Sequence, residues 1–288
     1  MRFSLTGRTG VVCILGDPIA HSLSPVMQNA ALQEAAIDAV YVPFHVTAVD
    51  LEASLDGLRR MNIIGGNLTI PHKEAAMPFV DRLDDDARVI GSINTIVNRN
   101  GELIGYNTDG SGLLQALYED LDFDVKGKKV LLLGSGGACR AAVVALGRAG
   151  ADWVGIANRT EDRAAKLLSG VAKTLLGTTF AHYHLDEGLA ERLPHQVDLL
   201  INTTSVGMTQ DAFAFPVENY VRPGGGVYDM VYGREETPLV RKALLSGLHA
   251  ADGLGMLAAQ GELAFNLWFG QKPTFGLMKK ILRETCSA

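Results

Sequence analysis

The chain has 288 residues, of which 47% are hydrophobic and 20% are charged, and its formal net charge is −6. The composition is typical of a globular protein, and the length suits one large or two modest domains. A negative net charge argues against nucleic acid and anionic membranes as partners, and no run of 18 apolar residues predicts a membrane span. The three cysteines lie far apart, and the N-terminal residues lack the apolar core of a signal peptide, so we expect a cytoplasmic protein with reduced thiols.

Strand and helix patterns alternate along the first part of the chain. Strands are predicted over 11–15, 39–46, 63–70, 92–98 and 102–106, and helices from Pro25 onward and over 51–61. The last two strands flank Arg99-Asn100-Gly101, a turn sequence that is typical of a hairpin. Strands that alternate with helices predict an α/β fold with a parallel or mixed sheet.

A second α/β segment follows a domain boundary that we predict near residue 110. Its predicted elements are a helix over 112–121, strands over 130–133, 153–157, 197–202 and 226–230, and a helix over 239–247. The strands are short continuous apolar runs, as in a parallel sheet that is covered on both faces.

A glycine-rich turn separates the strand over 130–133 from a helix that carries apolar residues over 141–146. The turn consists of Gly134, Ser135, Gly136, Gly137 and Ala138. Glycines let the backbone approach phosphate groups, and free N–H groups at the start of a helix face negative charge. The layout predicts a site for a dinucleotide pyrophosphate; a glycine turn in an unrelated α/β protein is the alternative.

The end of the next strand indicates the type of dinucleotide. An NAD site usually has an acidic residue there that binds the ribose 2′-hydroxyl. Here the strand ends in Asn158, Arg159 and Thr160, and Arg163 follows. Two guanidinium groups and a hydroxyl are suited to a 2′-phosphate, so we predict NADP.

The pattern changes again after Asp252-Gly253. Residues 256–269 form a helical pattern whose apolar face is dense enough to dock on another element. A dinucleotide-binding domain does not need this helix, so we expect it to return to the first domain. The predicted domains are residues 1–109 plus 253–288 and residues 110–252, with a cleft between them.

Several separated segments of the chain resemble, in the expected order, the shikimate dehydrogenase family. The segments are 21–25 (HSLSP), 66–73 (GNLTIPHK), 91–95 (GSINT), 107–110 (NTDG), 134–138 with 158–163, 228–232 (YDMVY) and 253–261 (GLGMLAAQG). The resemblance runs from about Val11 to Gly270. It departs from the family at Ser135, where alanine is common, and at Leu68, where valine is usual, and neither change removes a functional group.

The resemblance implies a reaction and a fold. The reaction is the reversible reduction of 3-dehydroshikimate to shikimate by NADPH, a step toward chorismate and the aromatic amino acids. The fold is an N-terminal α/β substrate domain and a Rossmann-like, doubly wound NADP-binding domain, with the C-terminal helices returning to the first. The implied partner is a small-molecule substrate, with no nucleic acid and no membrane, and the protein is expected to be a monomer or a homodimer.

The resemblance also assigns roles to individual residues. Lys73 would be the acid/base, and Asp109 would bind a substrate hydroxyl and orient the lysine. Ser22 and Ser24 would bind the substrate carboxylate, Thr69, Asn94 and Gln260 the ring hydroxyls, and Tyr232 would contact the substrate. Met230 and Gly253 would contact the cofactor, together with the glycine turn and the segment 158–163.

Each assignment has a purely structural alternative. Lys73 alone is typical of a solvated lysine after a proline turn, and Asp109 of the N-cap of a helix that begins at Gly110. Ser24 is typical of an N-cap with Pro25 at the first helical position, and Thr69, Asn94 and Gln260 of polar groups that satisfy nearby backbone. Tyr232 is equally suited to packing.

Two other functions remain open. One is an enzyme of the same family that prefers quinate, or that accepts both substrates and NAD; Arg159 and Arg163 argue against NAD. The other is a regulator that senses NADP without turnover. Lys73 and Asp109 argue against a regulator, because a binding protein needs no proton donor.

Overall fold

Residues 5–171, 174–207 and 215–287 are described by the computed structural model. The contacts divide the chain into two compact units. The first unit comprises Met1–Thr108 and Ala258–Thr285, and the second comprises Asp109–Leu257 and Cys286–Ala288. Each unit has its own six-stranded sheet. The predicted α/β class is confirmed.

The strands are β1 Gly10–Gly16, β2 Ala39–His45, β3 Gly65–Leu68, β4 Arg82–Leu83, β5 Thr95–Arg99, β6 Glu102–Tyr106, β7 Lys129–Leu133, β8 Trp153–Asn158, β9 Thr179–His184, β10 Val197–Asn202, β11 Val221–Asp229 and β12 His249–Ala251. The helices are α1 Ser24–Glu34, α2 Leu51–Arg60, α3 His72–Ala75, α4 Asp85–Ile90, α5 Asp109–Leu121, α6 Gly137–Arg148, α7 Glu161–Val171, α8 Leu189–Arg192, α9 Pro238–Leu245, α10 Leu254–Phe269 and α11 Leu277–Ser287. Among these helices, none is both long and apolar enough to cross a membrane.

The sheet of the first unit is mixed and has the strand order β2-β1-β3-β5-β6-β4. Strands β1, β2 and β3 are parallel, whereas β5 runs antiparallel to both β3 and β6. The C-terminal part of α10 belongs to this unit, where the indole Nε1 of Trp268 donates to the carbonyl of Ile96 at 2.9 Å. Gly65 is required beside this bond, because a Cβ there would overlap both Ile96 and Trp268.

The sheet of the second unit is parallel throughout and has the order β9-β8-β7-β10-β11-β12. Leu131, Leu132 and Leu133 of β7 are fully buried, as a central strand covered on both faces requires. The chain reverses its direction of winding between β7 and β10. In sheets of this type, ligands bind outside the carboxyl ends of the strands at that reversal. The predicted Rossmann-like arrangement is confirmed.

Several element boundaries differ from the predicted ones for identifiable reasons. The strand predicted over 63–70 is shorter, because Thr69 starts a turn in which its carbonyl accepts from the N–H of His72 at 2.8 Å. Helix α1 begins at Ser24 rather than at Pro25, and α5 begins at Asp109 rather than at residue 112. Both helices therefore start within the polar segments that the resemblance singled out.

Candidate active site

The glycine-rich turn joins β7 to α6 at the carboxyl edge of the second sheet. Gly134 has φ +105°, a left-handed conformation that favours glycine, and its Cα lies against the side chains of Thr203 and Thr204. At Gly136 and Gly137, by contrast, an added Cβ would meet no atom of the described residues within 4 Å. The turn is therefore supported from one side and open on the other, as an approaching ligand requires.

The N-terminus of α6 provides donors for an anion at this turn. Gly136 occupies the N-cap position, so the cap residue has no side chain to accept a hydrogen bond from the helix. The first N–H groups of a helix have no partner within the helix, and they carry the positive end of its dipole. A pyrophosphate group fits these donors in charge and in hydrogen bonding.

The segment after β8 carries the side chains predicted for a 2′-phosphate. Arg159, Thr160 and Arg163 are exposed, and the amide of Asn158 donates to the carbonyl of Thr160 at 2.8 Å, which orders the turn. Glu161 is engaged by His182, with Nδ1 and Oε1 2.9 Å apart. The two guanidinium groups are thus available to an anionic ligand at the edge that the glycine turn also occupies.

Met230 and Gly253, the remaining predicted cofactor residues, lie close together. The N–H of Met230 donates to the carbonyl of Asn202 at 3.0 Å, and that of Gly253 donates to the carbonyl of Val231 at 3.1 Å. A Cβ at position 253 would overlap the carbonyl of Met230, so this approach requires glycine. Both residues therefore lie at the carboxyl end of β11.

Tyr232, two residues further on, is half-buried and lines a cavity of about 340 Å³. Gly207, Thr237 and Arg241 contribute to the same wall. Burial raises the pKa of the Tyr232 phenol above its ordinary value. The hydroxyl is therefore a neutral hydrogen-bonding group at physiological pH.

Ser22 and Ser24 lie at the start of α1 in the first unit. Leu23, an apolar residue, occupies the N-cap position, so the alternative interpretation of Ser24 as an N-cap is wrong. Ser24 is buried, with only 5% of its surface exposed. Its hydroxyl therefore belongs to the polar interior of this unit rather than to the helix terminus.

A chain of buried hydrogen bonds runs from Tyr41 across the first sheet. The Tyr41 hydroxyl donates to Oδ1 of Asn67 at 2.7 Å, and Nδ2 of Asn67 donates to Oγ1 of Thr95 at 3.1 Å. The Thr95 hydroxyl then donates to Oδ1 of Asn94 at 3.0 Å. The network reaches one predicted substrate residue, Asn94, through side chains that were not predicted.

Asn94 also connects to the C-terminal part of α10. Its Nδ2 donates to Oγ1 of Thr108 at 2.9 Å and lies 3.4 Å from Oε1 of Gln260. The Thr108 hydroxyl donates to the carbonyl of Gln260 at 3.1 Å. Asn94 and Gln260 are thus brought together, although they are far apart in sequence.

The lysine segment lies beside this network. Thr69 is half-buried, and its N–H donates to the carbonyl of Leu15 at 3.0 Å. Lys73 is half-buried in the short helix α3, and its carbonyl accepts from the N–H of Ile93 at 2.8 Å. The buried ring of His72 holds the same helix, with Nε2 2.7 Å from the carbonyl of Val46. The backbone at Lys73 is therefore anchored on two sides.

Asp109 belongs to the second unit, where it is buried at the first position of α5. It lies inside the helix rather than at an N-cap before Gly110, so that alternative is also wrong. Gly110 packs closely on α6, where a Cβ would lie 3.1 Å from the carbonyl of Ala141. This close packing fixes the start of α5 and hence the backbone of Asp109.

Sequence reasoning missed Tyr41, Asn67, Thr95 and Thr108. Three of them lie within or beside quoted motifs, where polar residues at the ends of apolar strands were a usable signal. Tyr41 had no such signal, because tyrosine is common in strands. It became identifiable only from its burial and its bond to Asn67.

The second unit has a parallel sheet with a glycine turn and two arginines after the adjacent strand, and the first unit has a buried polar network. Together these features define a dinucleotide-dependent oxidoreductase. Family models match most of the chain. They are the shikimate dehydrogenase substrate binding domain at 14–96, shikimate / quinate 5-dehydrogenase at 116–208 and the shikimate 5'-dehydrogenase C-terminal domain at 253–283. The chain belongs to the shikimate dehydrogenase family.

Individual relatives match the chain along nearly its whole length. It is 46% identical over 276 residues to the shikimate dehydrogenase (NADP(+)) of Geobacter metallireducens, which covers 96% of each chain. The shikimate 5-dehydrogenase of Thermus thermophilus, solved with NADP(H) and shikimate, is 36% identical with a TM-score of 0.83 and covers 96% of this chain and 99% of that one. The 5-ketofructose reductase of Gluconobacter sp. strain CHM43 is 31% identical with a TM-score of 0.87 and covers 97% and 100%.

Proposed function

We propose that the protein catalyses the reversible, NADP-dependent reduction of 3-dehydroshikimate to shikimate. The observation that carries this proposal is the similarity to the Geobacter enzyme, which extends over 96% of both chains and so includes both units. The resemblance of the separate motifs points to the same reaction, because substrate, catalytic and cofactor segments occur together in one chain.

The second unit would hold the cofactor. The turn from Gly134 to Ala138 would receive the pyrophosphate, and Asn158, Arg159, Thr160 and Arg163 would bind the 2′-phosphate. Met230 and Gly253 would contact the cofactor at the end of β11. When bound, NADPH supplies the hydride for reduction of the ketone.

The first unit would hold most of the substrate. Ser22 and Ser24 would donate to its carboxylate, and Thr69, Asn94 and Gln260 would bind its ring hydroxyls. The buried network through Tyr41 and Asn67 supports the assignment of Asn94, because it fixes the rotamer of that side chain. Tyr232 would contribute a further hydroxyl from the second unit.

Two residues would manage the proton. We assign Lys73 as the acid/base, which gives a proton to the new hydroxyl oxygen in the reductive direction and takes it in the oxidative direction. We assign Asp109 to the substrate hydroxyl and to the orientation of the lysine. The anchoring of α3 through His72 and Ile93 supports a positioned lysine rather than a mobile surface one.

We further propose that residues 1–109 with 253–288 act as the substrate domain and residues 110–252 as the NADP domain, in a monomer or homodimer. The cytoplasm is the proposed compartment, because the three cysteines are free thiols and a reducing environment preserves them. Burial raises the pKa of both Cys13 and Cys139 to about 12, which removes them from thiolate chemistry.

The test is the initial rate of NADP⁺ reduction, followed by the absorbance of the reduced nicotinamide. Shikimate is compared with quinate, NAD⁺ is compared with NADP⁺, and the reduction of 5-ketofructose is assayed because a structural relative is a 5-ketofructose reductase. We expect fast turnover only with shikimate and NADP⁺. Equal rates with quinate or NAD⁺ would overturn the specificity, and binding of NADP⁺ without any turnover would favour a sensing role.

Replacing Tyr41 by phenylalanine is expected to raise the KM for shikimate several-fold. The substitution keeps the ring but removes the hydroxyl that bonds to Asn67 and, through Thr95, holds Asn94. A neutral hydrogen bond contributes roughly 0.5–1.5 kcal/mol, which corresponds to about a 2- to 12-fold change. The KM for NADP⁺ should stay within about twofold, because the residue lies in the substrate unit. Equal changes in both KM values would contradict a role confined to substrate binding.

A further inference from the structure

Asp229 is a fully buried carboxylate at the last position of β11. Its oxygens accept from neutral donors. Oδ1 accepts from Nδ2 of Asn202 at 2.8 Å and from the N–H of Val231 at 3.1 Å, and Oδ2 accepts from Oγ1 of Thr237 at 2.7 Å. A carboxylate that is held by neutral donors is costly to bury, so its presence in a core position points to a role beyond packing.

The donors around Asp229 belong to different parts of the sheet edge. Asn202 is the last residue of β10 and pairs with Asp229 in the strand register. Its own Oδ1 accepts from both the N–H and the hydroxyl of Thr204, at 3.0 and 2.7 Å. Thr203 donates to the carbonyl of Leu133 at the end of β7, beside the glycine turn. The carboxylate thus ties β11 to β10 and, through the loop after β10, to β7.

The same carboxylate holds the segment from 230 to 237. The N–H of Val231 is bonded to Asp229 at one end of this segment, and the hydroxyl of Thr237 is bonded to it at the other. Thr237 is also the N-cap of α9, where its hydroxyl accepts from the N–H of Val240. Met230 and Tyr232, a predicted cofactor residue and a predicted substrate residue, lie at the start of this anchored segment.

The position along the sheet edge indicates which half of the dinucleotide is affected. The 2′-phosphate residues follow β8, and the pyrophosphate turn follows β7. Because β10 and β11 lie on the other side of β7, the nicotinamide half is the part of the cofactor left for them. Asp229 is therefore placed to act on one half of the ligand and not on the other.

We propose that Asp229 is a positioning residue that fixes Met230 and Tyr232 for the nicotinamide half of the cofactor and the substrate beside it. The proposal rests on the proposed function. Asp229 acts through the backbone of the 230–237 segment and through Asn202, without contacting either ligand itself.

The stability of variants can separate positioning from folding. Burial raises the pKa of Asp229, although its bonds to Thr237, Val231 and Asn202 lower it in part. A pKa that is higher in the folded than in the unfolded protein means that the ionised form is the less stable one in the fold. The contribution of Asp229 to stability is therefore lost as the pH rises from its pKa in the unfolded protein through its higher pKa in the fold. The neutral, isosteric asparagine should for this reason not lower the Tm.

The experiment measures the Kd of NADP⁺ and of 2′,5′-ADP by calorimetry for the wild type and for matched variants. The fragment 2′,5′-ADP carries the adenosine half alone. For Asp229→Ala we expect NADP⁺ to bind about tenfold more weakly and 2′,5′-ADP within about twofold of wild type, since one charged hydrogen-bonding group is lost. For Asp229→Asn, which keeps an acceptor for Asn202 and Val231, we expect both Kd values within about threefold and a Tm that is not lowered.

Asp198 offers a matched control near the amino ends of the strands of the same sheet, whereas Asp229 lies at a carboxyl end. It lies in β10, accepts from the N–H of Lys129 at 2.8 Å and pairs with Arg222 at 2.5 Å, and so also ties β10 to β7 and β11. Asp198→Ala should lower the Tm while leaving the ratio of the two Kd values unchanged. Both carboxylates join β10 to β11, but they would differ in role. Asp198, near the amino ends of the strands, would contribute to stability, and Asp229, at the carboxyl end, to positioning.

The proposal fails if Asp229→Ala weakens both ligands by the same factor, or if Asp198→Ala changes the ratio as much. If Asp229→Ala does not fold, Thr237→Val removes one donor to the carboxylate; a selective loss for NADP⁺ supports the proposal, and an unchanged ratio overturns it. A wild-type protein that binds NADP⁺ but oxidises no shikimate would overturn the proposed reaction alone, because the Kd ratio would still decide the role of Asp229.

Discussion

Replacing Lys73 by alanine is expected to lower turnover by about 10²- to 10⁴-fold, the usual contribution of a positioned acid/base group. The Kd of NADPH should stay near that of wild type, because the residues that we propose for cofactor binding belong to the other unit. The effect should fall mainly on kcat, since the ammonium group is assigned to the proton and not to binding of the ring. Steady-state kinetics with shikimate and NADP⁺, together with NADPH fluorescence titration, measure both quantities.

The fold around Lys73 makes this substitution interpretable. Helix α3 is held by the His72 ring at Val46 and by the bond from Ile93 to the carbonyl of Lys73, and neither contact uses the lysine side chain. Glu74→Ala is the matched control, because Glu74 is the next residue of the same helix and is exposed. Turnover within a few-fold of wild type in Lys73→Ala would remove Lys73 from the mechanism.

Replacing Arg159 by alanine is expected to weaken NADPH by about 10- to 150-fold, the loss that corresponds to a hydrogen bond to a charged group. Affinity for NADH should change by no more than about twofold, because NADH has no 2′-phosphate. The Tm should also remain near that of wild type, since the side chain is exposed. Kd values for the two reduced cofactors, measured by fluorescence, provide the test.

A control for the loss of one positive charge is available in the same unit. Lys126 is exposed and precedes β7, so it lies toward the amino end of the sheet, away from the glycine turn. Lys126→Ala removes the same charge and should leave both affinities unchanged. If Arg159→Ala weakened NADPH and NADH by the same factor, the assignment of the arginine to the 2′-phosphate would be wrong.

The parts of the fold that could be predicted are those with strong local patterns. The continuous apolar run at 130–133 followed by glycines predicted a buried parallel strand and a phosphate turn; the structure has the strand, and the glycine turn leads into α6. Arg159 and Arg163 predicted NADP in the same local manner, and the Geobacter relative bears the NADP(+) name. The individual substrate and catalytic assignments remain predictions, to be settled by the variants above.

The remainder depends on contacts between residues that are distant in sequence. Ser24 followed by proline has the local pattern of a helix cap, but the helix already begins at Ser24, which is buried within the first unit. Asp229 could not be recognised, because its environment arises from the pairing of β11 with β10. Contacts with residues distant in sequence determine the hydrogen bonds of such polar side chains. A local sequence pattern contains no information about those contacts.

The exposure of Arg159, Thr160 and Arg163 has a consequence for how this protein can change over generations. Surface substitutions that touch no core contact usually alter stability by no more than about 0.5 kcal/mol. If these residues bind the 2′-phosphate as proposed, preference for the phosphorylated dinucleotide is encoded where mutation is tolerated, whereas Gly134 is confined by Thr203 and Thr204. A lineage could exchange one nicotinamide cofactor for the other in a few steps without first acquiring compensating mutations, while the ability to bind a dinucleotide at all would persist.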